Sequence, residues 1–156
     1  MRNPSIDIMI EHAPISVWRE AEKQASRSLF KLFKTGAVIF DKRGRVVGKG
    51  CSHPSYGIPP RPAVHGEQHA LMGAGECYGM TCLIVTVNKT GNWACSSKPC
   101  AFCTHILHKA GIENVIYAER TNDGEWGINN ERLDNLIQRV DPSVIHLKYT
   151  KGMRVA

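Results

Sequence analysis

Seven residues, Thr81 to Val87 (TCLIVTV), constrain the fold of this chain more than any other stretch. The run carries no charge, is rich in β-branched residues and is apolar at consecutive positions, which suits a strand buried on both faces. Helical patterns stand on both sides of it. His65 to about Gly75 reads as one helix. A second is capped by Ser97 or Lys98, carries Pro99 at an early position where a missing N–H costs nothing, and ends at Gly111. Glu113 to Ala118 (ENVIYA) is a further strand.

Upstream, Trp18, Ala21, Ala25, Leu29, Leu32 and Phe33 recur at helical spacing and predict a helix over Ser16 to Phe33. Its opposite face carries Arg19, Lys23, Arg27 and Lys31 at four-residue intervals, a solvated basic face or a strip that meets nucleic acid or an acidic partner. GAVIF, DKRGR and VVGKG follow as a hairpin, and Cys51 to Ala63 is a proline-rich loop. Downstream, Thr121 to Asn130 reads as a polar loop. Glu131 to Val140 reads as an amphipathic helix stopped by Asp141-Pro142, and Val144 to Tyr149 as a final strand. Strands alternating with helices predict an α/β sandwich of one domain over 1–156. Its core spans about 34–118, with a C-terminal helix and strand over 131–149. A helix between the last two strands requires a crossover, so those strands are expected to run parallel.

Composition bounds what the chain does. At 156 residues and 42% hydrophobic, it has the material for one core, which excludes wholesale disorder. No apolar run approaches the roughly 20 residues of a membrane span, and the N-terminal MRNPSIDIMIEHAP does not read as a secretory signal. A cytoplasmic location is therefore expected, and the six cysteines are expected to be metal ligands or buried thiols rather than disulfides. A formal charge of +6 favours acidic partners or phosphorylated substrates.

Two motifs carry chemistry, each at the start of a predicted helix: Val64-His65-Gly66-Glu67 and Lys98-Pro99-Cys100-Ala101-Phe102-Cys103. A Cys-x-x-Cys at a helix N-terminus presents two sulfurs that the helix dipole favours as thiolates. With the His65 imidazole they make three ligands, the number a catalytic zinc takes while keeping one position for water. Glu67, two residues on, is placed to shuttle the proton of that water. H-x-E followed by P-C-x-x-C is the signature of zinc nucleobase deaminases.

On these residues, and on the stretches TGAVIFDKRGRVVGKG, VHGEQHAL and SKPCAFCTHILHKAGIENVIY, the chain resembles the cytidine deaminase superfamily. Within it, the similarity is to the branch of deoxycytidylate (dCMP) deaminases and tRNA adenosine deaminases. The resemblance implies a three-layer α-β-α sandwich around a five-stranded mixed sheet. It also implies that His65, Cys100 and Cys103 bind Zn2+, that Glu67 is the catalytic proton shuttle, and that the assembly is a homo-oligomer. A helix between the last two strands is what the nucleotide and nucleic-acid branches have, whereas nucleoside deaminases use a hairpin. Two departures stand out. Gly66 replaces the usual Ala between His and Glu, and Ser52 replaces a substrate-binding Asn after the second hairpin strand.

Ser52 and His53 are candidates to bind sugar or base, and Trp93 to stack on a base. Arg61, Lys98 and Arg120 are candidates to hold a phosphate. Cys51, Cys77, Cys82 and Cys95 read as small buried residues, with a second zinc site near His53 or His69 as the alternative. The expected function is hydrolytic deamination of a small-molecule cytosine nucleotide, dCMP- or CMP-like, with no membrane role. The alternative is deamination of cytosine or adenine in RNA or single-stranded DNA, with nucleic acid as partner.

Overall fold

Two-residue alternation along the strands divides the apolar side chains of the sheet between two cores. Ala37, Ile39, Cys82, Ile84, Val115 and Tyr117 point to one face, while Val38, Phe40, Leu83, Val85, Ile116 and Ala118 point to the other. The computed structural model describes residues 3–54 and 63–141. Its elements run α1 (Ile6–Ile10), α2 (Ile15–Ser26), β1 (Lys34–Phe40), β2 (Val46–Cys51), α3 (Gly66–Ala74), β3 (Thr81–Val87), α4 (Ala101–Lys109), β4 (Asn114–Arg120), β5 (Trp126–Arg132) and α5 (Leu133–Ile137). The sheet order is β2-β1-β3-β4-β5. α1 and α2 cover one face, and α3, α4 and α5 cover the other. Among the described residues no helix is long and apolar enough to cross a membrane.

The sheet is five-stranded and mixed, and the run at Thr81 to Val87 is a central strand buried along nearly its whole length. The pair that α4 connects, β3 and β4, is parallel, with Thr81 opposite Asn114. The reading of Thr121 to Asn130 as a loop is corrected, because a fifth strand, β5, forms there. β5 lies antiparallel to β4, from Asn114↔Arg132 to Arg120↔Trp126. It occupies the second half of what the sequence reads as a polar loop and the first two residues of the expected helix. The turn is formed by Thr121 to Glu125, where the Thr121 N–H donates to the Glu125 carbonyl at 2.8 Å and Gly124 takes φ 79°. The expected strand over 144–149 lies outside the described residues.

Two helices are shorter than their periodicity predicts. α2 stops at Ser26 instead of Phe33 because Ser28 is claimed by the sheet. Its hydroxyl donates to the Ser52 carbonyl at 2.6 Å and lies 2.9 Å from the Ser52 hydroxyl. Leu29, Leu32 and Phe33 consequently emerge exposed beyond the helix, and Lys31 leaves the basic strip. α5 is confined to Leu133–Ile137, where Leu133 and Leu136 are its buried anchors.

Close packing of helix on sheet depends on Gly36. A Cβ there would sit 2.2 Å from the Ala21 carbonyl oxygen and 2.3 Å from the Ala25 nitrogen, so α2 lies directly on β1. On the other face, Gly48 and Gly50 of β2 admit the backbone of α3 at Ala70 in the same way.

Candidate functional site

α3 and α4 start at the same end of the sheet, and their first residues meet there. His65 is the N-cap of α3 in extended backbone (φ −80°, ψ 157°), and Cys100 is the N-cap of α4 (φ −68°, ψ 170°). The Cys100 sulfur accepts the Cys103 N–H at 3.4 Å, so α4 begins at the Cys-x-x-Cys itself rather than at Ser97 or Lys98. His65 Nδ1 lies 3.2 Å from Cys103 Sγ and 3.5 Å from Cys100 Sγ. All three ligand atoms fall within 4.8 Å of one another, and this is the one such trio among the described residues.

The donor set fits zinc. Two ligands on one tetrahedral zinc stand about 3.5 Å apart, close to both separations. A hydrogen bond from the Cys103 thiol, followed by His65, holds Cys100 down to about 3, while that same bond and burial push Cys103 well up. No trio forms from Cys51, His53 and His69, so the alternative of a second zinc there gains no support in the described residues.

Glu67 is the second residue of α3, within its first turn, and is 4% exposed. Burial raises its carboxyl above the ordinary range, opposed by the charge of His65 and a hydrogen bond from Cys103. Glu67 and His65 line a cavity of about 220 Å³ together with Phe33, Thr35, Gly66, Ile84, Thr86, Cys95, Ser96, Ser97, Lys98 and Cys100. Thr35 and Thr86, neighbours across β1 and β3, place their hydroxyls 2.9 Å apart in this lining. Ser97 fixes the loop below Lys98. Its hydroxyl donates to the Ile84 carbonyl at 2.8 Å and accepts the Ala118 N–H at 2.9 Å.

Of the substrate-binding candidates, the structure brings Lys98 to the cavity and leaves four others elsewhere. Ser52 is buried behind Thr35, accepting its N–H at 3.0 Å and donating its own N–H to the Thr35 carbonyl at 2.8 Å. His53 faces a different groove. Trp93 is buried between Trp18 (5.6 Å, stacked) and Trp126 (5.8 Å, edge-on), with its indole N–H on Glu22 at 3.1 Å. Arg120 lies over the Trp126 ring at 5.0 Å. Arg61 lies outside the described residues. Phe33, Thr35, Ile84, Thr86 and Ser96 are lining residues that sequence reasoning missed, because Phe33 reads as helix, Ile84 and Thr86 as strand, and Thr35 and Ser96 as connections. Cys95, read as a small buried residue, is half-buried in the same lining.

A family model for the cytidine and deoxycytidylate deaminase zinc-binding region matches residues 13–119. Among solved structures, the chain is similar to a point mutant of cytidine deaminase from Mycobacterium tuberculosis. The identity is 16% and the TM-score 0.54, over 81% of this chain and 93% of that one. It is also similar to cytidine deaminase from Mycobacterium leprae, with 16% identity and a TM-score of 0.50 over 80% and 97% of the two chains. At these identities the likeness speaks for the fold. No curated protein sequence matches the chain. With the family match spanning the hairpin, the helix starts that carry His65, Cys100 and Cys103, and β4, the chain belongs to the cytidine and deoxycytidylate deaminase family of zinc-dependent enzymes.

Proposed function

We propose that this enzyme hydrolytically deaminates cytosine carried on a single nucleoside or nucleotide. Water adds to the ring carbon bearing the amino group, ammonia leaves, and a carbonyl remains. The observation that carries the reading is the burial of Glu67 next to the His65, Cys100 and Cys103 trio, with Glu67, His65 and Cys100 lining one small cavity. A cavity of about 150 Å³ takes one benzene, so about 220 Å³ suits one pyrimidine ring and leaves sugar and phosphate at the mouth.

His65, Cys100 and Cys103 would hold the zinc, which when bound supplies Lewis acidity toward water. Glu67 takes the proton from that water and delivers it to the departing amino group. A carboxyl whose protonated form is stabilised by burial is suited to both halves of the task. Phe33 and Ile84 give the cavity apolar walls for the ring, and the Thr35 and Thr86 hydroxyls offer it polar partners.

Lys98 favours a 5′-phosphate on the substrate, as a cation in the cavity lining. The polymer alternative rests on the net charge of +6, and its basic strip is interrupted where α2 ends before Lys31. The test is ammonia release and product mass from zinc-loaded protein, with Glu67→Ala as control. Cytidine, deoxycytidine, CMP, dCMP, adenosine, single-stranded DNA and tRNA form the panel. Turnover of CMP or dCMP above the nucleosides, lost selectively in Lys98→Ala, supports the phosphate reading. Equal turnover of nucleosides assigns the substrate as the nucleoside, and turnover only in polymer overturns the proposal.

A further inference from the structure

One wall of the catalytic cavity carries a pair of hydroxyls whose protons can be counted. Thr35 of β1 and Thr86 of β3 are partners in the antiparallel ladder. Each stands two residues from an apolar neighbour, Ala37 or Ile84, on the sheet face that α3 covers. Their hydroxyls lie 2.9 Å apart, and among the described residues neither has another partner. A hydroxyl carries one proton and two lone pairs. One of the two protons closes the pair, so one remains to be donated.

The serine hydroxyls around the pair are already committed. Ser28 donates to the Ser52 carbonyl at 2.6 Å, so the 2.9 Å contact between the two serine hydroxyls takes its proton from Ser52. Ser52 Oγ also accepts the Thr35 N–H at 3.0 Å, and the Ser52 N–H holds the Thr35 carbonyl at 2.8 Å. Ser97 donates to the Ile84 carbonyl and accepts the Ala118 N–H. Ser52 and Ser97 therefore fix the backbone around the pair and leave it to Thr35 and Thr86 to offer a hydroxyl proton. Thr35 is gripped at both its N–H and its carbonyl, which preorganises that offer.

Depth decides what the remaining proton meets. Thr86 is 5% exposed and lies with Glu67 and Ile84 at the buried end of the cavity, whereas Phe33, Ser96 and Lys98 are exposed at its mouth. A base that reaches Glu67 leaves its sugar and phosphate near Lys98. With its amino-bearing carbon at Glu67, a cytosine ring has one further exocyclic group, the 2-oxo oxygen. That oxygen accepts and has no proton to give, which is what a single O–H matches.

We propose that Thr35 and Thr86 are specificity-determining residues that present one O–H to the ring oxo group of the base; this rests on the cytosine reading above and deepens it. Thr35 donates to Thr86, and Thr86 donates to the substrate. The test compares kcat/KM for CMP, dCMP and 2-thio-CMP, in which a weakly accepting sulfur replaces the oxygen. Zinc-loaded wild type, Thr86→Val, Thr35→Val and Thr86→Ser are measured. Valine keeps the shape of threonine and suits a strand, so the bulk of sulfur weighs equally on wild type and Thr86→Val while the hydrogen bond is lost. Wild type is expected to prefer CMP over 2-thio-CMP by about tenfold. Thr86→Val should lose most of that preference through a fall on CMP, Thr35→Val should lose less of it, and Thr86→Ser should keep it. A preference unchanged in Thr86→Val overturns the proposal while cytosine turnover stands. A change in the CMP to dCMP ratio in its place also overturns it, since the proton then belongs to a sugar hydroxyl. Absence of turnover of both CMP and dCMP by wild type overturns the cytosine reading and this proposal with it.

Discussion

Gly66→Ala tests how tightly the site is held. Relatives commonly carry Ala at this position, so the substitution looks conservative, yet the structure predicts a loss. A Cβ at residue 66 would lie 3.1 Å from the Thr35 carbonyl oxygen and 3.4 Å from Thr35 Cγ2. Thr35 is poorly placed to retreat. Its carbonyl accepts from Ser52 at 2.8 Å, its N–H donates to the Ser52 hydroxyl at 3.0 Å, and its hydroxyl meets Thr86 at 2.9 Å. The helix start must give instead, by a few tenths of an ångström. Removing a glycine from a helix-compatible position stabilises by about 0.4–1 kcal/mol, whereas overpacking a filled site costs about 1–3 kcal/mol. With one backbone atom in conflict the net is a loss of about 1 kcal/mol, or about 2–4 °C in Tm for a domain of this size. The displaced residues are His65 and Glu67, so kcat should fall by about tenfold. Thermal melts with and without chelator and steady-state ammonia release measure both. An unchanged or higher Tm with unchanged kcat would refute the claim that Thr35 is pinned.

Other perturbations separate the parts of the site. The folded pKa of Glu67 is raised, so its favourable contribution is complete below the unfolded pKa and is lost as pH rises through the folded value. Glu67→Gln in chelator-treated protein should therefore melt above wild type at pH 7, with the gap closing on acidification, and should lose turnover; a lower melting point at pH 7 contradicts the cost of burying the charge. Cys100→Ala and Cys103→Ala should each bind less than stoichiometric zinc by mass spectrometry of the metal, and full occupancy in either would break the ligand set. Gly36→Val would drive its Cβ into the Ala21 carbonyl, costing about 3 kcal/mol or more and lowering the urea midpoint; a midpoint equal to wild type would mean that α2 floats on β1.

Legibility tracked how local the determining interactions are. Thr81–Val87 and the two helix starts were readable because a run of apolar residues and a four-residue motif state their own structure. β5 was not, since Trp126-Gly127-Ile128-Asn129-Asn130 lacks the composition of a strand and is held by pairing with β4. Its signal was the Asn122-Asp123-Gly124 turn. The end of α2 was hidden for a different reason: the apolar period runs on through Phe33, and only the distant Ser52 stops it. Trp93 sits near the cysteines in sequence, but the loop before Ser97 carries it to the opposite face of the sheet. At the site, sequence spacing brought His65, Cys100 and Cys103 forward. The cavity wall from Phe33, Thr35 and Thr86 depends on which strand face looks toward α3, and a one-residue register shift would reverse it.

All three tryptophans of the chain, Trp18, Trp93 and Trp126, stack into one group in the α1 and α2 layer, while the sulfur and imidazole groups of the candidate metal site gather beyond the opposite face of the sheet. The molecule thereby carries an optical probe of one half that is insulated from events in the other. Indole emission, and the exciton couplet expected of rings within 6 Å, follow the integrity of the N-terminal layer and stay silent when metal is withdrawn. Thiolate-to-metal absorption, read with a coloured divalent ion in place of zinc, follows the site alone. Two wavelengths on one unlabelled sample then tell a protein that has lost its metal from one that has lost its fold.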